Sequence, residues 1–281
     1  METVAQRFEK YLQTLNLTEN QDAAARDQRD RVLEGVKKRL SIKSVFISGS
    51  FGRLTSVRPL HDIDLFLELE PSVHGGPRAV TPKALLEQVK RAVEEMNPGK
   101  TAKLQSRSVN IEFTGTGIGY DLVPAFRESD SFYLITDEGG WKRTNPRVHK
   151  ERTKAAHERA GGMGLGLIRG LKGWNNRNGK NIKSFHLELM IIDLLTAKPS
   201  SYAEGFATLF TQLPSKVMGR CVDPAEPTND VAEGTDPQKR ALGKAALEKA
   251  AELAKRARAF ELAGDHTRAN ALWREIFGES F

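Results

Sequence analysis

The triplet Asp62-Ile63-Asp64 constrains this chain most, because it opens an apolar run through Leu69 and follows Val45-Phe46-Ile47 and Gly49-Ser50 after a short loop. Side chains of a strand take opposite faces in turn, so Asp62 and Asp64 share one face while Ile63 and Leu65 take the other. Two like charges that close repel, and both stay ionised cheaply only when a cation lies between them. Gly49-Ser50, straight off an apolar strand, reads as a tight turn of phosphate size, with Gly49 allowing close backbone approach and Ser50 contacting phosphate. Mg²⁺ suits such a place, since it prefers a few carboxylates together with phosphate oxygens.

A third carboxylate completes the set. Val109 to Phe113 alternates like a strand, Gly115 to Gly119 turns, and Tyr120-Asp121-Leu122-Val123-Pro124 reads as the strand returning. Sheet pairing then delivers Asp121 beside Asp62 and Asp64, with Glu112 as the rival third ligand. Three converging carboxylates suit two metal ions, one acidifying an attacking hydroxyl and the other clamping a triphosphate and its leaving pyrophosphate. The expected cofactor is two Mg²⁺, with Mn²⁺ as a substitute.

A length of 281 residues, 39% of them apolar, suits one large domain or two packed lobes. No stretch approaches the roughly 18 apolar residues of a membrane span, and the N-terminus lacks the basic-then-apolar order of a secretory signal. The single cysteine, Cys221, excludes an internal disulfide and a cysteine-rich zinc module. The expectation is a cytoplasmic protein without a membrane partner. A net charge of +7 fits a nucleoside triphosphate substrate or nucleic acid, and ordinary surface lysines account for it equally well.

Glu2 to Leu15 has helical spacing, and Thr18 with Gln21 forms a capping-box signature that opens a long polar helix to about Leu40, a candidate spine. Strand signals follow at Ser44 to Ser48, Asp62 to Leu69, Ala102 to Phe113, Tyr120 to Val123 and Phe132 to Ile135, with a helix over Pro82 to Met96. From Asn145-Pro146 the pattern is almost wholly helical, in runs over His149 to Arg177, Ser184 to Leu195 and Pro237 to Ala263. Val222 to Thr235 carries dense turn chemistry. The fold class expected is α+β, with a mixed-sheet lobe over 1–140 that includes the N-terminal helices and a helical lobe over 141–281.

Gly49-Ser50, Asp62-Ile63-Asp64, Tyr120-Asp121-Leu122-Val123-Pro124 and a helical second half resemble the DNA-polymerase-β-like nucleotidyltransferases. Ile168-Arg169-Gly170-Leu171-Lys172-Gly173-Trp174-Asn175, Ser184-Phe185-His186-Leu187-Glu188, and Asp223-Pro224 before Asn229-Asp230 resemble one branch of them, the cGAS/DncV-like nucleotidyltransferases of bacterial anti-phage defence. The resemblance implies a two-lobed enzyme that binds nucleoside triphosphates, ATP among them. It implies Lys172 and Ser184 as triphosphate contacts from the helical lobe and Phe185 as a ring that stacks on a base, with Tyr202 as an alternative platform. The implied product is a cyclic di- or trinucleotide signal. A regulatory protein or nucleic acid and a downstream nucleotide-sensing effector are the partners expected by family analogy. Linear oligoadenylate synthesis, transfer of one nucleotide to another acceptor, and basic nucleic-acid binding are the competing readings.

Overall fold

The computed structural model describes residues 2–130, 132–138 and 140–281. In chain order the elements are α1 (Val4–Thr14), α2 (Glu19–Lys37), β1 (Ile42–Ile47), α3 (Gly49–Gly52), β2 (Asp62–Leu69), α4 (Pro71–His74), α5 (Gly76–Ala79) and α6 (Pro82–Met96). Strands β3 (Lys103–Leu104), β4 (Val109–Phe113), β5 (Ile118–Arg127), β6 (Tyr133–Asp137) and β7 (Gly140–Thr144) follow, then α7 (Pro146–Arg159), α8 (Gly164–Arg177), α9 (Ser184–Leu194) and α10 (Tyr202–Lys216). A small hairpin of β8 (Val222–Asp223) and β9 (Glu226–Asp230) precedes α11 (Pro237–Leu262) and α12 (His266–Phe277).

These elements form two compact units. The sheet unit holds Leu17–Leu54 and Pro59–His149; the helical unit holds Met1–Asn16, Thr55–Arg58 and Lys150–Phe281.

In the sheet unit the strand order is β1-β2-β5-β4-β3, and β6 pairs with both β5 and β7. β2 and β5 run parallel, whereas the other pairs in this sheet are antiparallel. The alternation expected of β2 holds: Ile63, Leu65, Leu67 and Leu69 are buried with Val109, Ile111, Tyr120 and Leu122. Ala25, Val32 and Val36 of α2 and Leu85, Leu86, Val89 and Val93 of α6 pack into the same core. Thr18 and Gln21 form the capping box that starts α2, and Thr81 caps α6 ahead of Pro82. Tyr120 then ties α2 down, its hydroxyl donating to the carbonyl of Ala25 at 2.8 Å.

With that face occupied, the even-numbered residues of β2 take the other. Beyond the aspartates, Phe66 packs in a small cluster with Ala125, Tyr133 and Ile135. Glu68 is buried there and accepts two bonds from Arg127 (2.8 and 3.2 Å) and one from Ser44 (2.6 Å).

The helical unit is built on aromatic packing. Phe8 of α1 lies 5.1 Å from Phe206 and 5.0 Å from Trp273, and Tyr11 lies 4.9 Å from Phe277. This explains a difference from the expected division at residue 140. α1 buries Val4, Phe8, Tyr11 and Leu12 in the helical core, so it belongs with that unit and α2 alone stays with the sheet. The helical run over His149 to Arg177 is two helices, interrupted where Gly161 and Gly162 take φ of 60° and 86°. The segment rich in turn residues contains the β8–β9 hairpin.

Candidate active site

Register brings the carboxylates together. Asp64 stands directly opposite Asp121 across the parallel β2–β5 pair, and Asp62 stands opposite Gly119. Pairing also places Asn110 of β4 opposite Asp121 from the other side. Three adjacent strands therefore present Asp62 and Asp64, Asp121, and Asn110 on one sheet face.

Gly49 and Gly119 make room for this arrangement. Gly49 sits at φ 59°, and a Cβ there would overlap the carboxylate of Asp64. A Cβ on Gly119 would stand 2.6 Å from Oδ1 of Asp62. Gly49 and Ser50 belong to α3, which leaves β1 in one turn. The backbone approach expected at Gly49 is thus made by a protein carboxylate.

A cavity of about 360 Å³ opens beside these groups, lined by Ser48, Gly49, Arg53, Asp64, Ser108 and Asp121 among others. Burial pushes Asp64 up to about 6, with Asp121 and Asp62 adding to the rise and Arg53 opposing it. Burial also raises Asp121, and Asp62 adds to this while hydrogen bonds from Asn110 and Ser108 oppose it. Two half-buried acids that destabilise each other's charge are the donor chemistry a divalent cation relieves. The oxygen set fits Mg²⁺ on those grounds. Among the described residues, no three His, Cys, Asp or Glu side chains already converge as a ready ligand set. Glu112, the rival ligand, is exposed and turns to Lys103 at 3.0 Å.

The residues expected from the helical lobe lie in the helical unit. Lys172 is only 5% exposed. Its ammonium donates to the carbonyl of Thr55 at 2.7 Å and lies 3.6 Å from Glu188, which also accepts from the Thr55 hydroxyl at 2.9 Å. A buried ammonium is stable only when paired, and Thr55 and Glu188 are among the groups that pair that of Lys172. Ser184 is half-buried as the first residue of α9, behind Lys183 as N-cap, and so is not the cap itself. Phe185 is partly buried against the helical core.

Asn110, Ser108 and Gly119 beside the carboxylates, and Glu188 beside Lys172, lie outside the residues expected at the site. A signal existed for Asn110: an amide between Val109 and Ile111 in an alternating strand must face something polar.

A mixed sheet with acidic side chains on one face, joined to a helical unit, defines the polymerase-β-like class of nucleotidyltransferases. The chain belongs to the Second Messenger Oligonucleotide or Dinucleotide Synthetase family, whose model matches residues 1–156. A probable cyclic nucleotide synthase of Bacillus cereus is 26% identical over 95% of this chain and 94% of its own length. A cyclic AMP-AMP-AMP synthase of Acinetobacter is 27% identical, covering 84% of this chain and 72% of its own. Escherichia coli CdnC, solved with ATP, superposes with a TM-score of 0.80 at 22% identity, covering 99% of this chain and 98% of that one; the same protein has been solved in complex with a HORMA protein. No helix among the described residues is long and apolar enough to cross a membrane.

Proposed function

We propose that this protein joins nucleoside triphosphates, ATP among them, into a cyclic oligonucleotide second messenger. The observation that carries the reading is the facing of Asp64 and Asp121 across the β2–β5 register, with Asp62 one pleat away and Gly49 against Asp64. The names of the relatives support it, since they are synthases of cyclic nucleotides. A ribose hydroxyl of one nucleotide attacks the α-phosphate of another, and pyrophosphate leaves. A later attack by the far end of the linear product closes the ring.

Asp62, Asp64 and Asp121 would hold Mg²⁺, which when bound supplies Lewis-acid activation of the hydroxyl and neutralises the departing charge. Gly49 and Ser50 form the phosphate-facing turn, and Arg53 brings a cation to the same cavity. Ser184 and Phe185 are the phosphate and base contacts of the helical unit. Lys172 is left out of these contacts because its ammonium is engaged by Thr55 and Glu188. As part of the same proposal, the protein works in anti-phage signalling in the cytoplasm, under a regulatory protein partner and ahead of a nucleotide-sensing effector; the HORMA complex of Escherichia coli CdnC supports the regulatory partner.

The test is incubation with labelled ribonucleoside triphosphates and Mg²⁺, phosphatase treatment and mass spectrometry. A phosphatase-resistant product is expected from the native chain, and none from the Asp62→Asn, Asp64→Asn double variant. With the label on the α-phosphate, partial release as free phosphate from an oligonucleotide left with a 5′-hydroxyl makes the product linear, complete release means that no linkage was formed, and a turnover-competent double variant removes the site.

A further inference from the structure

Asp121 receives its orientation from the neighbouring strand. Asn110 is directly opposite it in the β4–β5 register, is 5% exposed, and donates from Nδ2 to Oδ1 of Asp121 at 3.0 Å. Ser108, one pleat earlier on the same face, comes within 3.5 Å of the same oxygen. Its hydroxyl has one proton, and Gln105 takes it at 2.6 Å, so the longer contact contributes little. Asn110 is therefore the effective donor to Oδ1 of these two. The amide nitrogen is also 3.0 Å from where a Cβ on Gly119 would stand, a point 2.6 Å from Oδ1 of Asp62. Amide and carboxylate lie on either side of the gap that glycine leaves.

We propose that Asn110 is a positioning residue for the cation site, holding Oδ1 of Asp121 so that Oδ2 is left as the ligand oxygen. This rests on the assignment of the three carboxylates as cation ligands. The chemistry of the amide suits the task. A lysine or arginine at this place would orient Asp121 but also neutralise it and so compete with the metal. A neutral donor fixes the carboxylate while leaving its charge for the cation, the usual work of groups that stand behind metal ligands. Strand pairing makes the support rigid, because both residues are held by the same backbone ladder.

Mn²⁺ is the probe, titrated into the full chain without nucleotide and followed through the paramagnetic resonance of the free ion. Asn110→Leu keeps the volume and removes the donor; it is expected to weaken Mn²⁺ binding about tenfold. A lower kcat with KM for ATP changed by less than about twofold is expected with it, because ground-state nucleotide binding is not what the amide supports. Unchanged Mn²⁺ affinity in a folded Asn110→Leu protein overturns the proposal. If that variant melts early, Asn110→Ser, too short to reach Oδ1, is measured against the same expectation. Asp121→Asn, run in parallel, separates the two failures. If it too leaves Mn²⁺ binding intact, the carboxylate assignment itself falls; if it alone abolishes binding, only the role of Asn110 does.

Discussion

The carboxylate of Asp64 occupies the space that a side chain on Gly49 would need, and Gly49 holds φ at 59° to allow it. Turn and strand are thus interlocked beside the acidic face of the sheet.

Gly49→Ala should accordingly cost far more activity than stability. The left-handed backbone penalty for a residue with a Cβ is about 1–2 kcal/mol, while the overlap drives Asp64 from its place. The expected result is a fall in kcat/KM of at least about a hundredfold, as misplacing a catalytic group by an ångström can produce. Steady-state kinetics and a melting curve on the same sample check it.

Gly119→Ala tests the neighbouring acid. The new methyl would stand 2.6 Å from Oδ1 of Asp62, closer than a Cβ tolerates, and a tight 3.0 Å from the Asn110 amide, so the side chains rather than the strand give way. A drop in activity with far-ultraviolet dichroism unchanged is expected. Full activity would mean that Asp62 is not held where its role requires.

The Lys172–Glu188 pair is 5% and 0% exposed. Lys172→Met alone removes the ammonium 3.6 Å from the buried Glu188 and should destabilise the protein by up to about 3–5 kcal/mol, whereas replacing both with apolar residues is expected to cost less. Urea unfolding of Lys172→Met, Glu188→Leu and the double variant reads the difference. The activity of a restored double variant then reports any separate contact between Lys172 and substrate.

His186 makes stability acid-sensitive. It is 1% exposed, and neither ring nitrogen has a hydrogen-bond partner among the described residues. Burial, then the nearby Arg240, pushes it down to about 4, with Asp230 opposing and Lys183 adding to the fall. An unfolded histidine titrates near 6.5, so between the two values the unfolded chain binds the extra proton. Stability is full above about pH 6.5 and declines as pH falls toward 4, by up to about 3 kcal/mol. Denaturant midpoints of the native chain and His186→Leu should diverge between pH 7 and pH 5, the variant losing less.

Much of this architecture was readable in one dimension. The alternation of Asp62-Ile63-Asp64-Leu65 anticipates a strand with acids on one face, and the capping box at Thr18 and Gln21 anticipates the start of α2. Lys172 shows where such reading stops. Its motif resembles a phosphate contact, and the groups it pairs with in the structure, Thr55 and Glu188 among them, come from other parts of the chain. The same holds for α1, whose Phe8 finds its neighbours in α10 and α12.

Face, period and cap are local properties, set by backbone geometry over a few residues, and the amino-acid order alone settled them here. Which strand lies beside which, and in what register, depends on burying α2 and α6 against one sheet face and on pairing segments far apart in the chain. That long-range packing set Asp64 opposite Asp121, turned Asn110 toward it, and drew Lys172 into the interior.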